Sequence, residues 1–271
     1  MPMPRTLTLA TWNINSVRLR LPIIEQLIAE RSPDVICLQE TKCPDGSFPS
    51  AAFKKLGYDH LVLNGQKGYH GVAILSRIPF AATEARAFCG KDDSRHVAAR
   101  LNVGANGVTV HNLYVPAGGD EPDPVVNDKF AHKLSFLAEL EHWIGSGPAT
   151  EPTIVVGDLN IAPLPDDVWS HKKLLDVVSH TPIETETFER IRAGGQWHDV
   201  MRQFVPAPDK LYTWWSYRAA DWSAADKGRR LDHVWASPQL ADSFRSMTAL
   251  RDARGWERPS DHVPVIVTFE V

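Results

Sequence analysis

The strongest constraint on this chain is a set of short, almost wholly apolar runs, each closed by a polar residue. Val35-Ile36-Cys37-Leu38 ends in Gln39-Glu40, and Thr153-Ile154-Val155-Val156-Gly157 ends in Asp158-Leu159-Asn160. Such runs are too short for buried helices and match strands covered on both faces. Gly71 to Ser76, Val97 to Val103, Val108 to Val115, Leu231 to Ala236 and Val263 to Val271 are further strand candidates, and Thr6 to Thr11 alternates as a half-buried strand does. Pro22 opens a helix with Ile23, Ile24, Leu27 and Ile28 on one face, and Pro33 stops it. Asp128 to Ile144 predicts a second helix, with Phe130, Leu134, Leu137, Ala138 and Ile144 on one side, and Asp166 to Pro208 is expected to be helical in parts. Strands outnumber helices, and the helices intervene irregularly. That pattern predicts a layered α/β protein built around sheets rather than a barrel of βα units.

With 271 residues and no repeat, low-complexity tract or Gly/Ser linker, the chain is expected to form one domain over 1–271. Its 43% hydrophobic and 23% charged residues exclude a disordered polymer. Cys37, Cys43 and Cys89 are odd in number and form no CxxC pair, which argues against a disulfide framework or a structural zinc site. Met1 to Arg5 leads into Thr6-Leu7-Thr8-Leu9 without a long apolar run, so no signal peptide is expected and the cytoplasm is the expected compartment. A net charge of -4 argues against coating nucleic acid by bulk charge, but not against a local grip on a few phosphates. Nine tryptophans exceed what a core of this size needs, so several are expected at a surface or cleft.

The polar residues that close the strands carry the chemistry. Asn13 and Asn15 follow the first strand, Glu40 the second. Asn112 and Tyr114 lie late in another, Asp158 and Asn160 follow Gly157, Asp232 opens Leu231 to Ala236, and Asp261 and His262 precede the last strand. Residues two apart on an extended chain face the same way, so each pair can present two polar groups to one cleft. Asn and Asp also form ordinary turns after strands, and it is the recurrence that favours a site. Carboxylates with amide oxygens suit a hard cation such as Mg²⁺, with Glu40 the first choice of ligand. Asp232 can fix the tautomer of a histidine, and Tyr114 and Asn160 can hold a developing oxyanion. The set reads as metal-assisted phosphoester hydrolysis. No P-loop, GxGxxG or HExxH string is present. Ser260-Asp261-His262 has the letters of a hydrolase triad, but consecutive residues cannot aim their side chains in relay order.

Eight strings now stand in order from residue 12 to residue 264: Trp12-Asn13-Ile14-Asn15, Leu38-Gln39-Glu40-Thr41-Lys42, Gly71-Val72-Ala73-Ile74-Leu75-Ser76, Asn112-Leu113-Tyr114-Val115-Pro116, Gly157-Asp158-Leu159-Asn160, Tyr212-Thr213-Trp214-Trp215, Arg230-Leu231-Asp232-His233 and Ser260-Asp261-His262-Val263-Pro264. Together they resemble the motifs of the exonuclease III family of abasic-site endonucleases. The resemblance implies a four-layer α/β sandwich, two mixed sheets packed face to face with helices outside. It implies a Mg²⁺- or Mn²⁺-dependent DNA-repair hydrolase that cuts duplex DNA 5′ to abasic sites or trims 3′ ends, acting as a monomer. Glu40 matches the family's principal metal ligand, and Asn13 and Asp261 match residues at or near the metal. Asp158 matches the residue that activates the attacking water, and Asn160 its positioning partner. Tyr114 matches a phosphate-contacting tyrosine also considered as an activator of the nucleophile. His262 matches the phosphate-contacting histidine, paired with Asp232. Trp214 matches a pocket-lining aromatic, Lys42 lies in the family's Glu-Thr-Lys string, and Arg95 resembles an arginine near the DNA face.

Asn15 and Asn112 are expected to face the same cleft, and Lys42, Arg95, Lys227, Arg229 and Arg230 to form a patch for DNA phosphates. Of Trp214 and Trp215, one is expected in the pocket and the other in the core, because neighbours on a strand face opposite ways. Two positions depart from the family. Ala117 stands where close relatives carry Asn or Gln, and Arg229 stands where many carry an apolar pocket residue. Two rival readings are another phosphoesterase on the same scaffold, such as a non-specific DNase or a lipid or inositol phosphodiesterase, and a damaged-DNA binder without catalysis. The Thr-Trp-Trp and Gln-Glu-Thr-Lys strings favour the repair branch over the first. The complete set of acids and histidine opposes the second, because a mere binder gains nothing from buried acids beside phosphate.

Overall fold

The computed structural model describes residues 5–271; residues 1–4, part of the stretch read for a leader, lie outside the described residues. The strands are β1 (Thr6–Asn13), β2 (Val35–Gln39), β3 (His60–Asn64), β4 (Val72–Ser76), β5 (Phe80–Glu84), β6 (His96–Leu101), β7 (Val108–Tyr114), β8 (Thr153–Asp158), β9 (His198–Asp199), β10 (Trp214–Trp215), β11 (Gly228–Arg229), β12 (Asp232–Ala236), β13 (Phe244–Ala249) and β14 (Val265–Glu270). Twelve of them form two six-stranded mixed sheets, ordered β13-β14-β1-β2-β4-β3 and β5-β6-β7-β8-β12-β9. β10 and β11 make a separate two-stranded ribbon.

The sheets face one another across one apolar core. Leu7, Leu9, Val35, Cys37, Val72 and Ile74 of the first sheet pack with Val97, Ala99, Val110, Ile154, Val156 and Val234 of the second. The other face of each sheet is also covered. Trp12, Ile36, Leu38, Ala73 and Leu75 pack under helix Leu21–Arg31 through Ile23, Ile24, Leu27 and Ile28. Leu113, Val155 and Trp235 pack under helices Asp128–Ile144 and Pro182–Gly194 through Phe136, Leu137, Leu140, Phe188 and Ile191. The result is the four-layer α/β sandwich expected from the sequence. Burial on both faces explains why β2, β4 and β8 read as almost continuous apolar runs.

Topology sets where the strands end together. β1 runs parallel to β2, with Asn13 opposite Gln39. β7 runs parallel to β8, with Tyr114 opposite Asp158, and antiparallel β12 puts Asp232 opposite Asp158. Tyr114, Asp158 and Asp232 therefore form one row across the second sheet, at the edge facing the loop after β1. Gly157 permits that row. Its φ is +138°, and a Cβ there would lie 1.9 Å from the Leu113 carbonyl oxygen, so no larger residue fits beside β7.

Candidate active site

Glu40, Asn13 and Asp158 form the centre of the cleft. The Asn13 Nδ2 amide donates to Glu40 Oε1 at 2.9 Å and to Asp158 Oδ2 at 2.9 Å, joining an acid from each sheet. Asn13 Oδ1 accepts from the Asn15 backbone N–H at 3.1 Å, which fixes which end of the amide faces the acids. That adds a second role for Asn13. Its amide nitrogen bridges two carboxylates beside a cation site, and its oxygen, which accepts one hydrogen bond, keeps a second lone pair. Glu40 also accepts from Tyr114 Oη at 2.9 Å and pairs with Lys42 Nζ at 2.8 Å. Burial alone would raise its carboxyl pKa, but Lys42 and Asn13 outweigh burial and hold it ionised below the usual carboxylate range. Its side chain keeps 18% exposure, an opening to the cleft.

Asp158, Asp232 and His262 form a second, fully enclosed group. Asp232 Oδ2 lies 2.8 Å from His262 Nδ1, and Asp158 Oδ2 lies 3.6 Å from His262 Nε2. Burial works against a charged imidazole, but Asp232 and then Asp158 outweigh it and push the His262 pKa up to about 10. Burial pushes the Asp158 carboxyl up to about 7, with His262 opposing and Asp232 reinforcing the shift. Asn160 donates its backbone N–H to Asp158 Oδ1 at 3.0 Å and its side-chain amide to Asp158 Oδ2 at 3.1 Å. Burial, with the Glu40 and Asp158 charges, keeps the Tyr114 phenol protonated well above its usual range.

Asn15, Lys42, Asp261 and Trp214 rim the cleft. Asn15 Nδ2 donates to Asp261 Oδ1 at 3.2 Å, and Lys42 Nζ donates to Asn15 Oδ1 at 2.7 Å. Trp214 Nε1 donates to Asp261 Oδ2 at 3.0 Å, while its neighbour Trp215 is buried in the core. Trp214 is thus the cleft-side member of the pair, and the Arg229 guanidinium sits 5.3 Å over its ring. Arg229 is tethered by hydrogen bonds to the Val178 carbonyl and Ser179 Oγ.

Three sequence-predicted contact residues lie elsewhere. Arg230 is fully buried and pairs with Asp167 at 2.7 Å and Asp199 at 2.7 Å, so no phosphate reaches it. Arg230 lies just past the end of β11 and turns inward, while Arg229, the last strand residue, is only partly buried. Asn112 is fully buried between the sheets, where it accepts from Gln39 Nε2 at 2.7 Å and donates to the Leu38 and Ala73 carbonyls. It ties the two sheets together beneath the cleft. Arg95 lies behind Tyr114, 6% exposed, pairing with Asp93 and donating to the Tyr114 carbonyl. It supports the tyrosine rather than facing the open cleft.

Other supporting residues carried no motif. Lys133, fully buried, donates to the Asn160 carbonyl at 2.7 Å and pairs with Glu184 at 2.5 Å. A lysine three residues after Phe130, on the apolar side of its helix, was the available signal. Lys133 also donates to the carbonyl of Ala117, whose exposed methyl supplies no donor of its own. Ser260 Oγ donates to the Asn13 carbonyl at 2.7 Å, which confirms that Ser260 takes no part in a relay with its neighbours. Thr213 Oγ1 accepts from the Leu231 and Asp232 amides and so fixes the start of β12.

The donors around Glu40 and Asp261 are carboxylate oxygens, which suit a hard divalent cation, and the Lys42 ammonium already sits against Glu40 as a cation would. Asp158, Asp232 and His262 also bring ligand atoms within 4.8 Å of one another. Comparison with known proteins fits this arrangement. The chain is 30% identical to exodeoxyribonuclease III of Haemophilus influenzae over 269 residues, covering 96% of this chain and 98% of that protein. It superposes with a TM-score of 0.88 on an AP endonuclease from Archaeoglobus fulgidus, at 33% identity, covering 98% of this chain and all of the other. A 3′ phosphatase from Neisseria, solved bound to a product DNA hairpin, superposes with a TM-score of 0.86 at 31% identity, covering 97% of this chain and 99% of the other. The family model for endonucleases, exonucleases and phosphatases matches residues 10–262, and the chain belongs to that endonuclease/exonuclease/phosphatase family.

Proposed function

We propose that this chain is a divalent-metal-dependent DNA-repair phosphodiesterase that cuts duplex DNA 5′ to abasic sites or removes nucleotides and blocking groups from 3′ ends. The observation that carries it is the unbroken chain of contacts Glu40–Asn13–Asp158–His262–Asp232, which joins a cation-suited acid to a base and a charged imidazole. The relatives at 30% and 33% identity are named exodeoxyribonuclease III and AP endonuclease, which favours DNA over a lipid or inositol substrate.

Asp158 takes the proton of the attacking water. A carboxylate with a pKa near 7 is basic enough to do so, and about half of it is ionised at neutral pH. Asn160 holds that carboxylate in place through two hydrogen bonds. His262 stays an imidazolium and donates to a non-bridging phosphate oxygen, with Asp232 fixing its orientation. Tyr114 stays a phenol and acts as a donor. Glu40 and Asp261 would hold Mg²⁺ or Mn²⁺, which supplies charge relief at the phosphate and the leaving oxygen. Lys42, Arg229 and the rim amides meet the DNA backbone, with Trp214 lining the space for the damaged nucleotide. The protein works as a monomer in the cytoplasm; among the described residues no helix is long and apolar enough to cross a membrane.

The test is a gel assay with end-labelled duplex carrying one abasic site, beside an undamaged duplex with a recessed 3′ end, with Mg²⁺ or chelator. The expected result is a metal-dependent product on one or both duplexes that Asp158→Ala abolishes. Turnover of phosphoinositide or sphingomyelin with no DNA product would overturn the proposal. A single cut at the lesion against a ladder from the 3′ end separates incision from trimming.

A further inference from the structure

The second sheet carries another polar cluster, on its helix-covered face. β5, β6 and β7 are antiparallel neighbours, and Glu84, Ala98 and His111 form one row across them. His96 lies two residues before Ala98 on the same face. Val97, Ala99 and Val110 alternate with them and point into the inter-sheet core, so this cluster faces away from that core. The methyl of Ala98 is small, which leaves room for the long Glu84 and the His111 ring to approach above it.

The three side chains converge. His96 Nε2 lies 3.0 Å from His111 Nδ1, and His111 Nδ1 lies 3.9 Å from Glu84 Oε1. One ligand atom from each residue lies within 4.8 Å of the others. The two imidazole rings are 20° from coplanar with centroids 5.3 Å apart, so they meet edge to edge with ring nitrogens turned toward each other. Trp143 stands edge-on to both rings at 5.0 and 5.2 Å. His96 is fully buried, and its Nδ1 has no hydrogen-bond partner. Glu84 and His111 line a cavity of about 550 Å³, walled also by Trp143, Trp197 and Arg100.

We propose that Glu84 Oε1, His96 Nε2 and His111 Nδ1 form a second divalent-metal site, one that takes a late first-row transition ion of the Zn²⁺ class and opens its remaining coordination to this cavity. Two imidazoles and one carboxylate are the ligand set such an ion prefers, whereas Mg²⁺ prefers oxygen alone. Tetrahedral Zn²⁺ at about 2.1 Å from each nitrogen needs them roughly 3.4 Å apart, so the rings open by a few tenths of an ångström and turn until both lone pairs meet at the ion. Burial keeps both rings neutral, with the His96 pKa pushed down to about 2 and that of His111 to about 4, so each ring has one unprotonated nitrogen at neutral pH. Ligation takes the tautomers with the proton on His96 Nδ1 and on His111 Nε2, so the proton between the facing nitrogens moves to the far nitrogen of its own ring. Glu84 is exposed and swings without disturbing the core. Arg86, which adds to the depression at His96, reaches out over the Trp143 ring and carries the local positive charge. The competing description is a single N–H···N hydrogen bond between the imidazoles, with no ion.

Equilibrium dialysis with Zn²⁺ in excess Mg²⁺ tests this on the intact chain, with the visible spectrum of bound Co²⁺ as a second readout. The expected result is one Zn²⁺ per wild-type chain, retained by Asp158→Asn, which shares none of the three ligands. Glu84→Gln, at an exposed position, is expected to weaken binding about tenfold or more, and His111→Gln to abolish it, both with Mg²⁺-supported nuclease activity unchanged. No ion on the wild type, or equal affinity in the wild type and both variants, would reduce the cluster to a hydrogen-bonded pair. Loss of the ion in Asp158→Asn would assign it to the catalytic cleft.

Discussion

Tyr114 shows how one environment decides a residue's role. Its hydroxyl donates to Glu40 at 2.9 Å, and burial together with the nearby Glu40 and Asp158 charges holds the proton on the phenol. This environment favours the phenol over a phenolate activator of the nucleophile, and a phenol serves as a hydrogen-bond donor. Tyr114→Phe is expected to lower kcat/KM about a hundredfold, the cost of one oxyanion donor. The shape of the pH–rate profile between about pH 6 and 9 is expected to stay the same, since no ionisation is removed. Loss of the alkaline limb in the variant would sink this assignment. The backbone at the site tells the same story of fixed geometry. Glu40 and Lys42 have φ of 51° and 52°, in the left-handed region that side chains other than Asn and Gly disfavour. They are held there because Lys42 N donates to the His70 carbonyl at 2.9 Å and Ser16 N donates to the Glu40 carbonyl at 2.7 Å. The first stretch after β2 is thus set by its neighbours, and the Glu40 carboxylate is aimed before any substrate arrives.

The ribbon of β10 and β11 carries the element-scale lesson. Trp214 faces the cleft and Trp215 the core, as strand alternation predicts. Arg229 ends β11 and Arg230 follows it with the opposite orientation, yet both basic letters read as a surface patch. The inward one forms a buried cluster with Asp167, Asp199 and, through Asp167, Arg202. Arg230→Met is expected to destabilise the fold by about 3–5 kcal/mol, because it strands buried carboxylates, and to leave the salt dependence of DNA binding unchanged. Lys42→Met is expected to do the reverse: little change in stability and a salt slope smaller by about one. Wild-type stability in Arg230→Met with a reduced slope would restore the patch reading. Legibility elsewhere followed burial. β2, β4 and β8, covered on both faces, were visible as apolar runs, and helix Asp128–Ile144 was legible to its ends. The edge strands β3, β5 and β13 were not, because partly exposed faces carry no apolar pattern; β5 keeps four exposed residues of five. In the site, residues at strand ends were legible because they stop an apolar run. Lys133, Arg95 and the inward side of Asn112 were not, because their roles depend on which neighbour each meets across the fold.

At the scale of the whole molecule, the titrations combine into a pH dependence of stability whose sign can be worked out. His96 and His233 are buried, His111 is mostly buried, and all three are neutral, with burial pushing their pKa values down to about 2, 4 and 4 in the order His96, His111, His233. The unfolded chain binds a proton at each below about pH 6.5, so between about pH 6.5 and 4 it binds three more protons than the fold at these sites. Stability therefore falls as pH drops through that window. Asp158 opposes this by one proton, since its folded carboxyl, pushed up to about 7, stays protonated where an unfolded one is ionised. Over these four groups the difference near pH 5 is about two protons, or roughly 2–3 kcal/mol per pH unit, and His70, His132 and His180, also pushed down by burial, act in the same direction. On the alkaline side the sign reverses. His262, pushed up to about 10 by Asp232 and Asp158 against burial, contributes stability that is fully present below about pH 6.5 and is lost as pH rises toward 10, at roughly 1.4 kcal/mol per unit. Thermal unfolding at constant ionic strength, in chelator so that no ion competes for the imidazoles, is expected to show a maximum Tm near neutrality, a steep fall toward pH 5 and a gentler one toward pH 9. Asp232→Asn is expected to flatten the alkaline limb and leave the acid limb standing, because it removes the larger of the two carboxylate contributions to His262 and touches none of the three neutral imidazoles. An acid limb that flattens in Asp232→Asn, or a Tm that holds from pH 7 to 5 in the wild type, would mean that the buried imidazoles of the second sheet already carry protons and that the sheet's outer face is wetter than its packing indicates.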